Sequence, residues 1–276
     1  MSTFHPVLYL ICSLYLGILL WGCNPGTAQN TSSTPATYSK LLWAEEFDYA
    51  GLPDSTKWDY RIGGHGWGNN EKQYYTDRLE NARVEDGNLI IAAKKESYEG
   101  SDYTSAGVLT YGKQEFLYGR IEVRAKLPSA VGTWPAIWLL GNSIREGGRW
   151  PDCGEIDIME NVGFDPNIVH GNVHTKAYHH STGTNKGDRI TVEQPDSAFH
   201  TYAVEWHKDK IDFFVDDTQY FSFSKESDDP AVWPFDQPHY LIINLAIGGN
   251  WGGQQGINDD AFPHEYFVDY VRYYGE

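Results

Sequence analysis

The chain has 276 residues, with 38 acidic and 21 basic side chains and a formal net charge of −17 at pH 7. A surface this acidic repels phosphate backbones and anionic lipid headgroups, so we do not expect nucleic acid as a partner. Aromatic residues make up 15% of the chain and glycine contributes 28 residues. This composition suits strands, tight turns and aromatic binding platforms better than helices.

The N-terminal segment has the character of an export signal. Residues 7–21 carry no charge. At about 15 residues they match the apolar region of a signal peptide and are shorter than a membrane-spanning helix. The run ends in Leu20-Trp21-Gly22-Cys23, which resembles the lipobox of bacterial lipoproteins. That resemblance implies lipidation of Cys23 and a membrane-anchored protein of the cell envelope. The alternative is a signal cut nearby, with Cys23 unmodified.

The composition divides the chain into three parts. Residues 1–22 are predicted to be the signal peptide, and residues 23–39, rich in Asn, Thr, Ser and Pro, a flexible tether. Residues 40–276 contain no second linker and no internal repeat, so we expect one folded domain and a monomer. Once the signal is removed, Cys23 and Cys153 are the remaining cysteines, which leaves no disulfide framework.

The predicted domain consists of short strands separated by Gly, Asp, Asn and Pro. Residues 120–124 and 211–216 alternate strictly between polar and apolar types, which is typical of half-buried strands. In chain order, the predicted strand regions are 80–95, 118–127, 134–141, 154–162, 168–175, 199–217, 239–249 and 266–274. This pattern predicts an all-β fold, a sandwich or jelly roll of antiparallel sheets.

Acidic residues are concentrated in one of these strands, at 154–160. Glu155 and Asp157 share a face because side chains alternate along a strand. Glu160 joins that face if Met159 is an extra residue in a β-bulge. Three crowded carboxylates without Lys or Arg would raise the pKa of one carboxyl, as a general acid requires. The alternative is a solvated strand face whose acidic residues simply point outward.

Tryptophans flank this acidic strand on both sides in the sequence. Trp134 and Trp138 precede it with Trp150, and His174 and Trp251 follow it. Indole faces stack on the C–H faces of sugar rings, so tryptophans beside paired carboxylates indicate a carbohydrate ligand.

The run GEIDIMENVG at 154–163 resembles the active-site signature of glycoside hydrolase family 16. Two residues separate its aspartate from its second glutamate, as in the laminarinases and galactanases of that family. Similarity to the bacterial laminarinase branch extends over 42–48, 69–76, 134–138, 148–161, 171–174 and 268–272. The resemblance implies a jelly-roll sandwich with a concave cleft, which cleaves inside a β-glucan chain with retention of configuration. It also implies that Glu155 is the nucleophile, Glu160 the acid/base and Asp157 a helper of the nucleophile.

The same resemblance implies a set of substrate contacts. Trp134, Trp138 and Trp150 would stack on the glycan, and Asn70, Glu71 and Arg120 would be polar contacts. The alternative for Trp134 and Trp138 is core burial, and for Arg120 a structural ion pair.

Two further residues are expected near the cleft. His174 would lie near Glu160 and tune its proton affinity, the alternative being a structural histidine. Trp251, in a glycine-rich loop, would form part of the cleft rim. The adjacent His179 and His180 indicate metal binding only weakly.

No cofactor is expected for catalysis, but many relatives carry a structural calcium ion. The resemblance implies that backbone carbonyls and one aspartate near the last strand bind it, with Glu46, Gly87 and Asp269 as the matching positions, and oxygen ligands of this kind suit calcium. The alternative is that Asp269 caps the end of a strand.

The expected partner is a β-glucan polysaccharide, and two other functions stay open. One is a galactanase of the same family, such as an agarase. The other is a non-catalytic glycan-binding lipoprotein on the same sandwich, which retention of both Glu155 and Glu160 disfavours.

Overall fold

A computed structural model describes residues 1–2 and 38–275. The described residues form seventeen strands: β1 Lys40–Glu45, β2 Asp59–Tyr60, β3 Gln73–Tyr75, β4 Ala82–Glu85, β5 Asn88–Tyr98, β6 Ser101–Ser105, β7 Gly107–Leu109, β8 Gly119–Lys126, β9 Thr133–Gly141, β10 Glu155–Glu160, β11 Ile168–His174, β12 Lys186–Thr191, β13 His200–Trp206, β14 Lys210–Val215, β15 Thr218–Ser224, β16 His239–Ile247 and β17 His264–Gly275. Short 3-10 turns occupy Asn142–Glu146, His180–Thr182 and Asp259–Ala261. Within this described part, no helix has the length and apolar character needed to cross a membrane.

The strands form two sheets, as the alternating pattern predicts. One sheet, here called the cleft sheet, has seven strands in the order β12-β11-β10-β9-β16-β7-β2 within the described residues. The other, here called the back sheet, has ten described strands, with β15-β14-β13-β8-β17-β5-β6-β3 in sequence, β1 on β17 and β4 on β5. Every pairing is antiparallel except that of β3 with β6. The all-β jelly-roll prediction is therefore confirmed.

The core lies between the sheets and follows from the alternation. On β8, every second residue is buried, including Ile121 and Val123. On β16, every residue from His239 to Ile247 is buried, because this strand is central in its sheet; its inner face packs in the core, and Asn244 and Ala246 on its outer face line the cleft. Such strands are apolar without alternation. The inner faces of both sheets contribute side chains to one continuous buried cluster. The domain is therefore a single rigid support for the cleft.

The strands absent from the sequence prediction lie mostly at edges or in short pairings. β12, which begins at Lys186, is an edge strand of the cleft sheet. It is mostly exposed, so its sequence shows no alternation of polar and apolar residues. β15 is likewise an edge strand, of the back sheet. Edge strands pair on one side alone, which weakens the burial signal in their sequences.

The N-terminal boundary of the fold lies slightly before residue 40. Tyr38 is 5% exposed, and its hydroxyl donates to the carbonyl of Trp206 at 3.2 Å. Residues 3–37, which include the predicted signal, Cys23 and most of the tether, lie outside the described residues. Those predictions stay predictions.

The predicted bulge is present in β10. Its pairing with β11 steps from Asp157 opposite Asn172 to Glu160 opposite His170, leaving two residues of β10 against Gly171. Along β9, Ile158 is the residue without a partner, so the extra residue is Ile158 rather than Met159. Both are fully buried because the irregular backbone turns two successive side chains into the core.

Candidate active site

The bulge brings the three acidic side chains of β10 to one cleft. Glu155, Asp157 and Glu160 all line it, on the face of the sheet away from the core. Asp157 is 3% exposed, and the other two are partly buried. Among the described residues, His174 is the basic side chain that contacts them, and no Lys or Arg forms an ion pair with any of the three.

Two indole groups hold the outer carboxylates. Trp150 Nε1 donates to Glu155 Oε2 at 3.1 Å, and Trp134 Nε1 donates to Glu160 Oε1 at 3.1 Å. Asn172 Nδ2 donates to Glu160 Oε2 at 3.3 Å. These donors orient each carboxylate. They are neutral groups, so they do not neutralise its charge as a cation would.

His174 lies against the acidic residues of β10. In the strand register it faces Glu155, and its Nε2 lies 3.8 Å from Glu155 Oε1 and 3.1 Å from Asp157 Oδ2. The residue across from Glu160 is instead His170. His174 still lines the same part of the cleft as Glu160 and offsets part of the rise in its pKa, as expected, but its short contacts are with Glu155 and Asp157.

The electrostatics of the cleft favour protonation of its carboxyl groups. Burial raises the pKa of Glu155, and the charge of Asp157 raises it further, whereas His174 lowers it. Burial is also the main cause of the raised pKa of Glu160, with Asp157 adding to it. Burial raises the pKa of Asp157. The cluster therefore holds at least one proton near neutral pH, as general-acid chemistry requires.

The tryptophans expected to stack on sugar line the cleft. Trp134, Trp138 and Trp150 are partly exposed on the same walls as the carboxylates. Trp251 lies farther along and meets Trp134 edge to face, with ring centroids 5.5 Å apart. The alternative that Trp134 and Trp138 are buried in the core is therefore wrong.

Arg120 does not lie in the cleft. It is on β8 in the back sheet, where its guanidinium donates to Glu122 at 2.9 Å and to Glu205 at 3.3 Å. The alternation on β8 turns Ile121 into the core and Arg120 to the outer side of the back sheet. The expected substrate contact is wrong, and the alternative of a structural ion pair is what the structure contains.

Of the neighbouring Asn69 and Asn70, Asn69 lines the cleft, one residue before the one expected. Asn70 is exposed, with φ +55°, and its Nδ2 donates to Asn250 Oδ1 at 2.8 Å. Glu71 lines the cleft as expected and accepts from Gln73 Nε2 at 2.6 Å. Burial raises the pKa of Glu71. The left-handed backbone at Asn70 directs its side chain to the neighbouring loop.

Several lining residues carried no clear signal in the sequence. Arg61 lies over the ring of Trp67 at 4.2 Å and over that of Trp138 at 5.2 Å. His180 lines the cleft beside Trp150, with ring centroids 5.0 Å apart. Asn244 accepts from Trp138 Nε1 at 2.7 Å. The Gly-rich run around Trp67 was the one available signal, since such runs bring backbone close to a ligand.

The carboxylates at two of the expected calcium positions are hydrogen-bonded to arginines. Both carboxylate oxygens of Glu46 accept from Arg272 at 2.9 Å, and Asp269 is hydrogen-bonded to Arg124. Two guanidinium groups at these carboxylates repel a further cation. Calcium bound there through backbone carbonyls stays a prediction.

The comparisons with known proteins agree with this site. The family described as "Glycosyl hydrolases family 16" matches residues 69–272. The sequence is 54% identical over 267 residues to the beta-glucanase of Rhodothermus marinus, covering 94% of this chain and 93% of that protein.

Two solved structures extend this likeness to the fold. The laminarinase from Rhodothermus marinus superposes with a TM-score of 0.83 at 57% identity, covering 85% of this chain and 96% of that chain. SCLam, a non-specific endo-β-1,3(4)-glucanase from family GH16, gives a TM-score of 0.82 at 47% identity, covering 87% of this chain and 92% of that one.

Proposed function

This chain belongs to glycosyl hydrolases family 16, and on that basis we propose that it cleaves internal bonds of β-1,3-glucan or of mixed β-1,3/1,4-glucan with retention of configuration. The observation that carries the proposal is the geometry of β10. Three carboxylates share one face, without a Lys or Arg counter-ion among the described residues, between indole groups suited to sugar rings.

In this proposal, Glu155 is the nucleophile and Glu160 the acid/base. Ionised Glu155 attacks the anomeric carbon while protonated Glu160 gives its proton to the departing oxygen, and a covalent glycosyl–enzyme intermediate forms. Glu160, now ionised, then takes a proton from water, and that water displaces Glu155. The raised pKa of Glu160, caused mainly by burial, supports its protonated role in the first step.

Asp157 and His174 would act on the nucleophile. His174 lies 3.8 Å from Glu155 and offsets part of the rise in pKa that burial causes there, which favours the ionised form that attacks. The charge of Asp157 has the opposite effect on Glu155. Protonation of Asp157 would remove the charge that raises the pKa of Glu155, so the proton state of Asp157 would adjust the nucleophile.

The walls of the cleft would hold the chain on both sides of the carboxylates. Trp138 and Trp150 lie on the wall with Glu155, and Trp134 and Trp251 extend past Glu160. Because lining residues continue on both sides of the carboxylates, the substrate chain can extend past the cleaved bond in both directions, which supports cleavage inside the chain rather than from an end.

The substrate is tested by measuring reducing-sugar release from laminarin, mixed-linkage glucan and agarose in parallel. We expect release from the two glucans and none from agarose. Release from agarose alone would identify a galactanase, and binding to laminarin without any release would identify a glycan-binding protein.

The stereochemistry has a separate test. Proton NMR in the first minutes of hydrolysis should show the β-anomer, because a double displacement inverts twice. Early accumulation of the α-anomer would contradict a covalent intermediate on Glu155.

We also propose that Cys23 carries a lipid and anchors the protein to a membrane, supported by the apolar run and the lipobox-like ending. A single acyl chain binds a membrane only marginally, so multiple acylation is expected. Mass spectrometry of the N-terminal peptide should show it, and Cys23→Ala should move the protein from the membrane fraction to the supernatant. A protein that stays in the supernatant with Cys23 intact would contradict the anchor.

A further inference from the structure

Three ligand atoms of the cleft have the spacing of a metal site. Glu155 Oε1, Asp157 Oδ2 and His174 Nε2 lie within 4.8 Å of one another. The histidine nitrogen is 3.1 Å from the Asp157 oxygen and 3.8 Å from the Glu155 oxygen. In a tetrahedral zinc site with bonds of about 2.0–2.2 Å, neighbouring ligand atoms are about 3.4 Å apart. Small side-chain movements would bring all three atoms to that spacing.

A second observation is an unsatisfied oxygen aimed into this cluster. Asp157 is 3% exposed, and its Oδ2 is buried without a hydrogen-bond partner among the described residues. The approach of His174 Nε2 does not have hydrogen-bond geometry, although the two atoms are close. A buried orphan oxygen of this kind requires an explanation in terms of a ligand, a water or a function.

Charge and access also favour a cation. Glu160 adds a third carboxylate to the neighbourhood, and none of the three forms an ion pair with a described Lys or Arg. The cluster opens into the cleft on the side of His180, whose ring centroid lies 5.2 Å from that of His174. A fourth ligand, water or a second imidazole, therefore has room to reach an ion held there.

We propose that Glu155, Asp157 and His174 form an inhibitory binding site for a divalent transition-metal ion, Zn²⁺ or Cu²⁺. An imidazole with two carboxylates suits these ions, whereas calcium and magnesium select oxygen ligands alone. The ion would engage the carboxylate that attacks the sugar and would fill part of the cleft. Metal binding stands on the cluster itself, and its inhibitory effect rests on the function proposed above.

A second cluster with the same types of ligand provides an internal comparison. Glu205, His207 and Asp212 also lie within 4.8 Å of one another. There, however, Lys210 Nζ lies 2.6 Å from Asp212, and Arg120 donates to Glu205. Resident cations already neutralise these carboxylates, so this second cluster should not retain a metal ion.

Isothermal titration calorimetry with ZnCl₂ on the folded protein tests the site. We expect one Zn²⁺ per chain, and binding at least about ten-fold weaker in both His174→Ala and Asp157→Asn, since even indirect supports of a metal ligand cost 10–100-fold in affinity. His207→Ala is the matched control and should bind like the wild type. Circular dichroism establishes that each variant is folded, and Asp157→Asn, with its nearly identical shape, covers a failure of His174→Ala to fold.

Two results would overturn the site. One is unchanged Zn²⁺ affinity in folded Asp157→Asn, and the other is loss of binding in His207→Ala. Electron paramagnetic resonance of the Cu²⁺-loaded protein gives an independent readout, because the number of imidazole nitrogens coupled to the copper should fall by one in His174→Ala.

Competition with substrate separates this proposal from the preceding one. A β-1,3-gluco-oligosaccharide should weaken Zn²⁺ binding, and Zn²⁺ should inhibit laminarin hydrolysis at the concentrations that saturate the calorimetric site. Zn²⁺ binding that needs Asp157 in a protein without glucanase activity would support the metal site and contradict the proposed function. Glucanase activity indifferent to saturating Zn²⁺ would contradict the inhibition alone.

Discussion

The outward faces of the two sheets are built by the same alternation and carry opposite electrostatics. On the back sheet, Arg120 holds Glu122 and Glu205, and Arg272 lowers the pKa of Glu46 through two hydrogen bonds. On the cleft sheet, the carboxylates of β10 face tryptophan and histidine, and their pKa values are raised by burial.

The comparison separates a structural acidic face from a reactive one. Both faces alternate polar with apolar residues, so alternation alone does not distinguish them. The difference is the residue type that neighbouring strands place opposite each carboxylate. A guanidinium neutralises a carboxylate and makes it inert, whereas an indole N–H orients it and leaves it unneutralised.

The largest effect on hydrolysis is expected from Glu155→Gln and Glu160→Gln. Each removes one partner of the double displacement, so turnover of laminarin should fall by at least about 10²–10⁴-fold while the fold is retained. Glu122→Gln is the control on the back sheet and should keep turnover within about two-fold. Substantial turnover by either folded cleft variant would show that the two faces do not differ in this way.

Asp157→Asn should lower turnover less than the glutamate variants, and it should change stability with a characteristic pH dependence. A carboxyl whose pKa is raised in the folded state loses stability as pH rises from about 4 to about 8. The asparagine variant should therefore gain Tm relative to wild type at pH 8 and lose that gain near pH 4.

Glu46→Gln is the opposite case on the back sheet. Its pKa is lowered by Arg272, so its stabilisation is present above its ordinary pKa of 4.5 and is lost as pH falls below that value. The glutamine variant should have a lower Tm than wild type at pH 7, with the difference shrinking in acid. Thermal melts from pH 3.5 to pH 8 measure both variants. The comparison would be contradicted if the difference in Tm between variant and wild type changed with pH in the same direction for both.

A smaller effect on hydrolysis is expected from Gly171→Ala, at a position beneath the bulge where the two sheets pack together. A Cβ at Gly171 would lie 2.4 Å from Tyr220 Oη and 2.9 Å from Phe213 Cδ1 of the back sheet. Gly171→Ala should therefore destabilise the fold by about 1–3 kcal/mol and disturb β11 beside Glu160, lowering kcat more than it raises KM.

Tyr220→Phe tests whether that contact is the cause. It removes the oxygen nearest to the new methyl group, and the hydroxyl is buried without a described partner, so the single change should be close to neutral. Combined with Gly171→Ala, it should recover part of the lost stability in chemical denaturation. No recovery would assign the damage to Phe213 or to the backbone.

The smallest effect on hydrolysis is expected from Arg120→Met. This change leaves Glu122 and Glu205 without their shared donor and should cost about 1.5–3 kcal/mol of stability or less, since the site is partly exposed. The kcat/KM on laminarin should stay within about two-fold of wild type. A selective rise in KM would return Arg120 to the substrate site.

Local patterns in the sequence were sufficient for the fold class and for the carboxylates. Alternation at 120–124 and the spacing of Glu155, Asp157 and Glu160 report backbone geometry directly, because side chains on a strand have a period of two. The apolar Met159 in a polar position was also enough to predict the bulge, although not to say which residue is the extra one.

What only the tertiary structure decided depends on register between strands distant in the sequence. Whether Arg120 faces substrate or a glutamate, whether Asn69 or Asn70 reaches the cleft, and which carboxylate His174 meets are set by pairings across the sheets. The same is true of Arg61, which reaches Trp138 from far along the chain. A one-residue shift reverses the face of every side chain that follows it, and no local pattern records that shift.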